Sequence, residues 1–144
     1  MTEPNPLATW PTGRLLSVAA RLTERSWEQV LAGMGLTHAG LIALHVLTEG
    51  PLTQRGLARR CRVTDQTISR TVDRLVTAGH AERTVDEVDR RKVLVSITAA
   101  GAAVHARATR AEREDPVLLG AVEDYEGLRR QLVQLIAAIG LDED

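Results

Sequence analysis

Between Thr53 and Thr98 the apolar residues first recur every three or four positions and then every second one, which leaves few folds open to the chain. Thr53 reads as the cap of a short helix to about Cys61, with Leu57, Ala58 and Cys61 on its inward face. Three residues later Thr64 caps a second helix, in which Ile68, Val72, Leu75 and Val76 form one stripe. Gln66, Thr67, Arg70, Thr71 and Arg74 are placed away from that stripe, and Ala78-Gly79 ends the helix. From Ala81 the period becomes two. Val93, Val95 and Ile97 alternate with Lys92, Leu94 and Ser96, and Glu82 to Val85 can pair with them, which predicts a two-stranded hairpin.

Helices surround this segment. Leu15, Ala19, Leu22, Trp27, Val30, Leu31 and Met34 keep helical spacing until Gly33 and Gly35 end the run. Thr37 caps a helix carrying Leu41, Leu44 and Leu47 and stopped by Gly50-Pro51. Thr98 caps another helix to about Glu114, where Asp115-Pro116 predicts a kink or break. The last helix carries Tyr125, Leu128, Leu132, Leu135, Ile136 and Ile139, and the acidic end from Asp142 to Asp144 reads as a solvated tail.

Two short helices with a tight link, followed directly by a hairpin, make a winged helix-turn-helix. The expected fold is mainly α with a small β-hairpin wing, one domain in 144 residues. Residues 37–98 form the winged lobe, and 12–35 and 99–140 are dimerisation helices. The first and last long helices both carry apolar stripes that so small a lobe cannot cover, and a second copy of the chain is the simplest cover.

The formal net charge is only −1, yet residues 53–92 hold ten basic side chains against six acidic ones, so positive charge is concentrated in the winged lobe. The second helix presents Thr64, Gln66, Thr67, Arg70 and Arg74, groups able to meet base edges and phosphates in a major groove. At the hairpin tip, D-E-V-D-R-R-K holds three acids and three bases in seven positions. A cation reads the negative potential of a narrow minor groove, and a long arginine needs a partner to hold it there. Asp89, two residues before Arg91, can be that clamp, leaving Arg90 and Lys92 for phosphates.

In these stretches the chain resembles the MarR family of transcriptional regulators. The residues that carry the likeness are L-T-Q-R-G-L-A-R-R (Leu52 to Arg60), V-T-D-Q-T-I-S-R-T-V-D-R-L-V-T-A-G (Val63 to Gly79), D-R-R (Asp89 to Arg91) and I-T-A-A-G (Ile97 to Gly101). The resemblance implies a homodimer whose first and last helices intertwine and whose two lobes read a pseudo-palindromic operator in double-stranded DNA. It implies Arg91 in the minor groove, held by Asp89, and a small-molecule effector or oxidant acting between dimer helices and lobes. The implied role is a repressor. The chain departs from the family at Gly56, where Glu is frequent, and at Asp65, where Pro or a small residue is frequent. Its few aromatic residues also argue against a pocket for flat phenolic ligands.

Other readings are bland. Cys61 has arginines on either side, but it follows Leu57 by four residues and reads as core packing rather than a redox sensor. His38, His45, His80 and His105 contain no i,i+4 pair, so no metal or other cofactor is expected. Asp73 and Arg74 are candidates for a surface pair, and Trp10 and Trp27 for packing in the dimer interface. No glycine-rich phosphate loop and no nucleophile with a base is present, so no enzyme is expected. The alternative is a winged-helix protein-interaction module without DNA binding. With no signal-peptide pattern, no bilayer-length apolar run and one cysteine, the chain reads as cytoplasmic, with no membrane partner.

Overall fold

Four threonine hydroxyls start the helices that surround the wing, and each accepts the amide three residues on. Thr37 takes Gly40 at 3.0 Å, Thr53 takes Gly56 at 3.1 Å, Thr64 takes Thr67 at 3.1 Å and Thr98 takes Gly101 at 3.0 Å. Each bond satisfies a helix N-terminal N–H that has no partner within its own helix. The structure, a computed structural model, describes residues 3–140. The acidic end assigned to a solvated tail lies outside the described residues.

After a short 3-10 turn, Pro6–Thr9, come α1 (Thr12–Gly33), α2 (His38–Leu47), β1 (Leu52–Thr53), α3 (Gln54–Cys61) and α4 (Asp65–Thr77). Then follow β2 (Ala81–Val85), β3 (Val93–Ile97), α5 (Ala99–Arg113), α6 (Pro116–Ala121) and α7 (Tyr125–Ile139). The chain forms two compact units, one ending at Ala108 and the other beginning at Thr109.

In the first unit Leu31, Leu44, Leu47, Leu57, Ile68, Val72 and Val95 are fully buried, bringing together one face each of α1, α2, α3, α4 and β3. Burial of each such side chain contributes about 1.5–3 kcal/mol before entropy is counted. The sheet is antiparallel and three-stranded, in the order β1-β3-β2, with Leu52 opposite Val95 and Arg83 also opposite Val95 across the other edge. The two-stranded expectation is corrected here: β1 is only Leu52 and Thr53, too short to show a period, and it is made a strand by pairing with β3.

One side-chain placement also differs from expectation. Thr71 is buried in the α4 core face rather than on the polar face, because its hydroxyl donates to the Thr67 carbonyl at 2.9 Å and needs no solvent. Trp27 is buried within the first unit, and Trp10 is exposed beneath the Arg14 guanidinium.

The second unit contains the expected break. Pro116 opens α6, a short helix not foreseen, and the Asp115 carboxylate accepts from Val117 N at 2.9 Å as its cap. Asp124 caps α7 through Gly127 N at 2.9 Å. Among the described residues no single helix is long and apolar enough to cross a membrane.

Candidate nucleic-acid interface

α4 buries Ile68, Thr71, Val72 and Leu75 and so turns Gln66, Thr67, Arg70, Asp73 and Arg74 outward. Gln66, Arg70, Asp73 and Thr77 follow one another by four, three and four positions, a single exposed ridge along the helix. Thr64 is the cap, and its hydroxyl also donates to the Thr67 hydroxyl at 3.0 Å, so both side chains are held at the helix start. α3 meets α4 through Arg62, whose φ of 58° is the left-handed exit that lets Val63 N bond the Ala58 carbonyl at 3.1 Å.

The wing strands β2 and β3 pair as far as Val85 and Val93, and Asp86 N donates to the Lys92 carbonyl at 2.9 Å beyond them. Two acids then organise the tip. Asp86 accepts from Val88 N at 3.0 Å, while Asp89 Oδ1 accepts from both the amide of Arg91 at 3.1 Å and its Nε at 3.0 Å. Asp89 Oδ2 accepts from the terminal guanidinium nitrogen at 3.3 Å. These bonds from the Arg91 side chain, and then from its backbone, hold the Asp89 carboxyl below its ordinary pKa, so it is ionised at neutral pH. The Arg91 side chain is nevertheless 91 % exposed. A long cation is thus aimed without being covered, and Arg90 and Lys92 stand exposed beside it.

One connection was not legible in the sequence. Arg83 of β2 donates through the same terminal nitrogen to Asp73 of α4 at 2.6 Å and to Gln54 of α3 at 3.3 Å. The wing and α4 are therefore joined on the exposed ridge of α4. Asp73 pairs with Arg83 across 10 positions and not with its neighbour Arg74.

Residues 34–92 match the MarR family model. Along the whole chain the structure is similar to that of the transcriptional regulator BldR from Sulfolobus solfataricus, with 26% identity, 96% of this chain and 99% of that chain covered, and a TM-score of 0.79. It is similar also to a probable transcriptional regulator from Pseudomonas aeruginosa, with 32% identity, coverage of 88% and 98%, and a TM-score of 0.77. The chain belongs to the MarR family. A mutant MarR from E. coli complexed with operator DNA shares the fold, with 22% identity, coverage of 92% and 99%, and a TM-score of 0.72. Comparison by sequence with curated proteins finds no match. The winged helix of this MarR-family chain thus has the fold of a transcriptional regulator.

The remaining candidate residues sort by their surroundings. Cys61 is half-buried, and burial raises its thiol pKa despite the opposing charge of Arg60, so the thiol stays protonated at neutral pH, as packing rather than redox chemistry requires. Among the described residues no group of three or more His, Cys, Asp or Glu is arranged to hold a metal ion. His38 lies 3.8 Å from Glu24 of α1.

His45 of α2 and His105 of α5, 60 positions apart, bring Nδ1 and Nε2 to 3.1 Å. Burial, and then the charge of His45, lower the pKa of His105 from the ordinary 6.5. The unfolded chain therefore takes up a proton at His105 near pH 6.5 while the folded chain does not. The stability contributed is complete above pH 6.5, falls as pH drops towards the folded pKa, and levels off below it. Thermal melts between pH 7.5 and 5.5 should show a smaller acid-induced fall in Tm for His105→Gln than for the wild type; equal falls would exclude this linkage.

Proposed function

We propose that the protein is a cytoplasmic homodimer that represses transcription from a pseudo-palindromic operator and leaves it when an effector binds. The observation that carries the reading is the Asp89–Arg91 clamp, which presents an ordered guanidinium on a wing tied to the polar ridge of α4. Thr64, Gln66, Thr67, Arg70 and Arg74 would face the major groove, with Gln66 and Arg70 on base edges and Arg74 on phosphate. Arg91 would enter the adjacent minor groove while Arg90 and Lys92 meet the flanking backbone.

Dimerisation is supported by apolar side chains that one chain leaves in water. On α1 these include Leu15, Leu16, Leu22 and Val30, and on α7 Val133, Leu135, Ile136 and Ile139. Each helix supplies a stripe suited to a second copy. The residues 12–35 and 99–140 are accordingly assigned to dimerisation and 37–98 to DNA. For the effector, a hollow in the first unit lined by Arg21, Glu24, Arg25, Leu36 and His38 offers charged and apolar groups together.

Footprinting on the DNA upstream of the protein's own gene, followed by gel-shift titration, tests the reading. The expected footprint is two-fold symmetric, and affinity falls steeply with salt as counterions are released. Gln66→Ala and Arg70→Ala should each cost about 1–3 kcal/mol on the operator and relax its sequence preference. An equal loss on unrelated DNA would reduce these residues to phosphate contacts, and no binding by the wild type would refute the function.

A further inference from the structure

Arg83 is a cation of the wing whose charge is already engaged within the protein. Side chains alternate along β2, so Arg83 shares a face with the buried Ala81, on the side where the strand packs against α4. Its side chain is 35 % exposed against 91 % for Arg91, and its terminal nitrogen is already shared by Asp73 and Gln54. We infer that Arg83 is a positioning residue, a strut from β2 to α4 and α3 that sets the angle between wing and recognition helix and so where Arg91 meets the duplex. The inference rests on the DNA-binding reading above and adds to it a residue that acts without contacting DNA.

The elements joined make this the effective place for such a strut. β2 leads directly out to the tip, while α4 carries the groove-facing ridge, so a tilt at Arg83 is magnified along the strand before it reaches Arg91. The two N–H groups of one guanidinium nitrogen lie fixed in the guanidinium plane, so that nitrogen can bond acceptors on two helices at once and in set directions. The partners are largely solvated, Asp73 being 64 % exposed, so the pair adds little to folding stability and its effect falls on orientation.

The strut makes a prediction opposite to simple electrostatics. Removing an acid from a DNA-facing helix should strengthen binding to a polyanion, yet Asp73→Asn is expected to weaken operator affinity about tenfold, as is Arg83→Gln. Both should change Tm little. Each should have less than about a twofold effect in an Arg91→Ala background, because the residue acts through the group already removed. The measurements are gel-shift titrations of full-length wild type, the single variants and the two doubles with Arg91→Ala, with thermal melts of each. Unchanged or tighter binding by Asp73→Asn overturns the inference, as do losses that add in full to that of Arg91→Ala. Those results would leave the DNA-binding reading intact, since wild-type binding and its loss in Arg91→Ala would persist. Absence of operator binding by the wild type overturns both. If Arg83→Gln fails to fold, Asp73→Asn alone decides.

Discussion

Arg91→Ala is expected to lower operator affinity about a thousandfold, which at about 2 kcal/mol per wing and two wings in the proposed dimer is about 4 kcal/mol. The clamp explains why one side chain should count for so much. Three hydrogen bonds to Asp89 hold the Arg91 amide and guanidinium before DNA arrives, so less conformational entropy is lost on docking than for a free arginine. The loss should be confined to binding, because a side chain 91 % exposed supports little of the fold. Gel-shift titration beside a thermal melt separates the two. Operator affinity within twofold of wild type would remove Arg91 from the interface.

The second large effect belongs to stability. A methyl group added at Gly101 would lie 2.0 Å from the His80 carbonyl oxygen and 3.0 Å from an Ile97 side-chain carbon. The oxygen is backbone and already accepts from Thr98 N at 3.1 Å, so it has no simple retreat. Gly101→Ala should therefore cost about 3 kcal/mol, lowering Tm by about 10 °C, through displacement of α5 from the base of the wing. Gly13→Ala, where no atom lies within 4 Å of the added carbon, is the control and should show no loss. Equal Tm values for the two variants would refute the close approach.

Local signals made most of the fold legible. Each threonine cap is a side chain bonding a backbone three positions away, and the wing's alternation is written in Val93, Val95 and Ile97. Asp89 and Arg91 are two residues apart, so their clamp could be anticipated from the same local chemistry. What escaped depends on distant partners. β1 exists only through pairing with Val95 and Leu94, far along the chain, and His45 meets His105 across 60 positions. In the sequence Arg83 is one more positive charge of the lobe, and only the packing of β2 on α4 brings it to Asp73. Thr71 was misplaced because its hydroxyl finds its acceptor within the helix, which periodicity of residue types does not register.

Thr98 closes the neck of the wing. Its hydroxyl donates to the Gly79 carbonyl at 2.6 Å and accepts from Gly101 N, while its amide reaches the His80 carbonyl, so the returning strand is stitched to the point where the outgoing one began. The base of the wing is thereby joined to the end of α4. In the proposed DNA-bound dimer, withdrawing the wing would carry α4 with it, so release would come from changing the span between the two lobes rather than the posture of either.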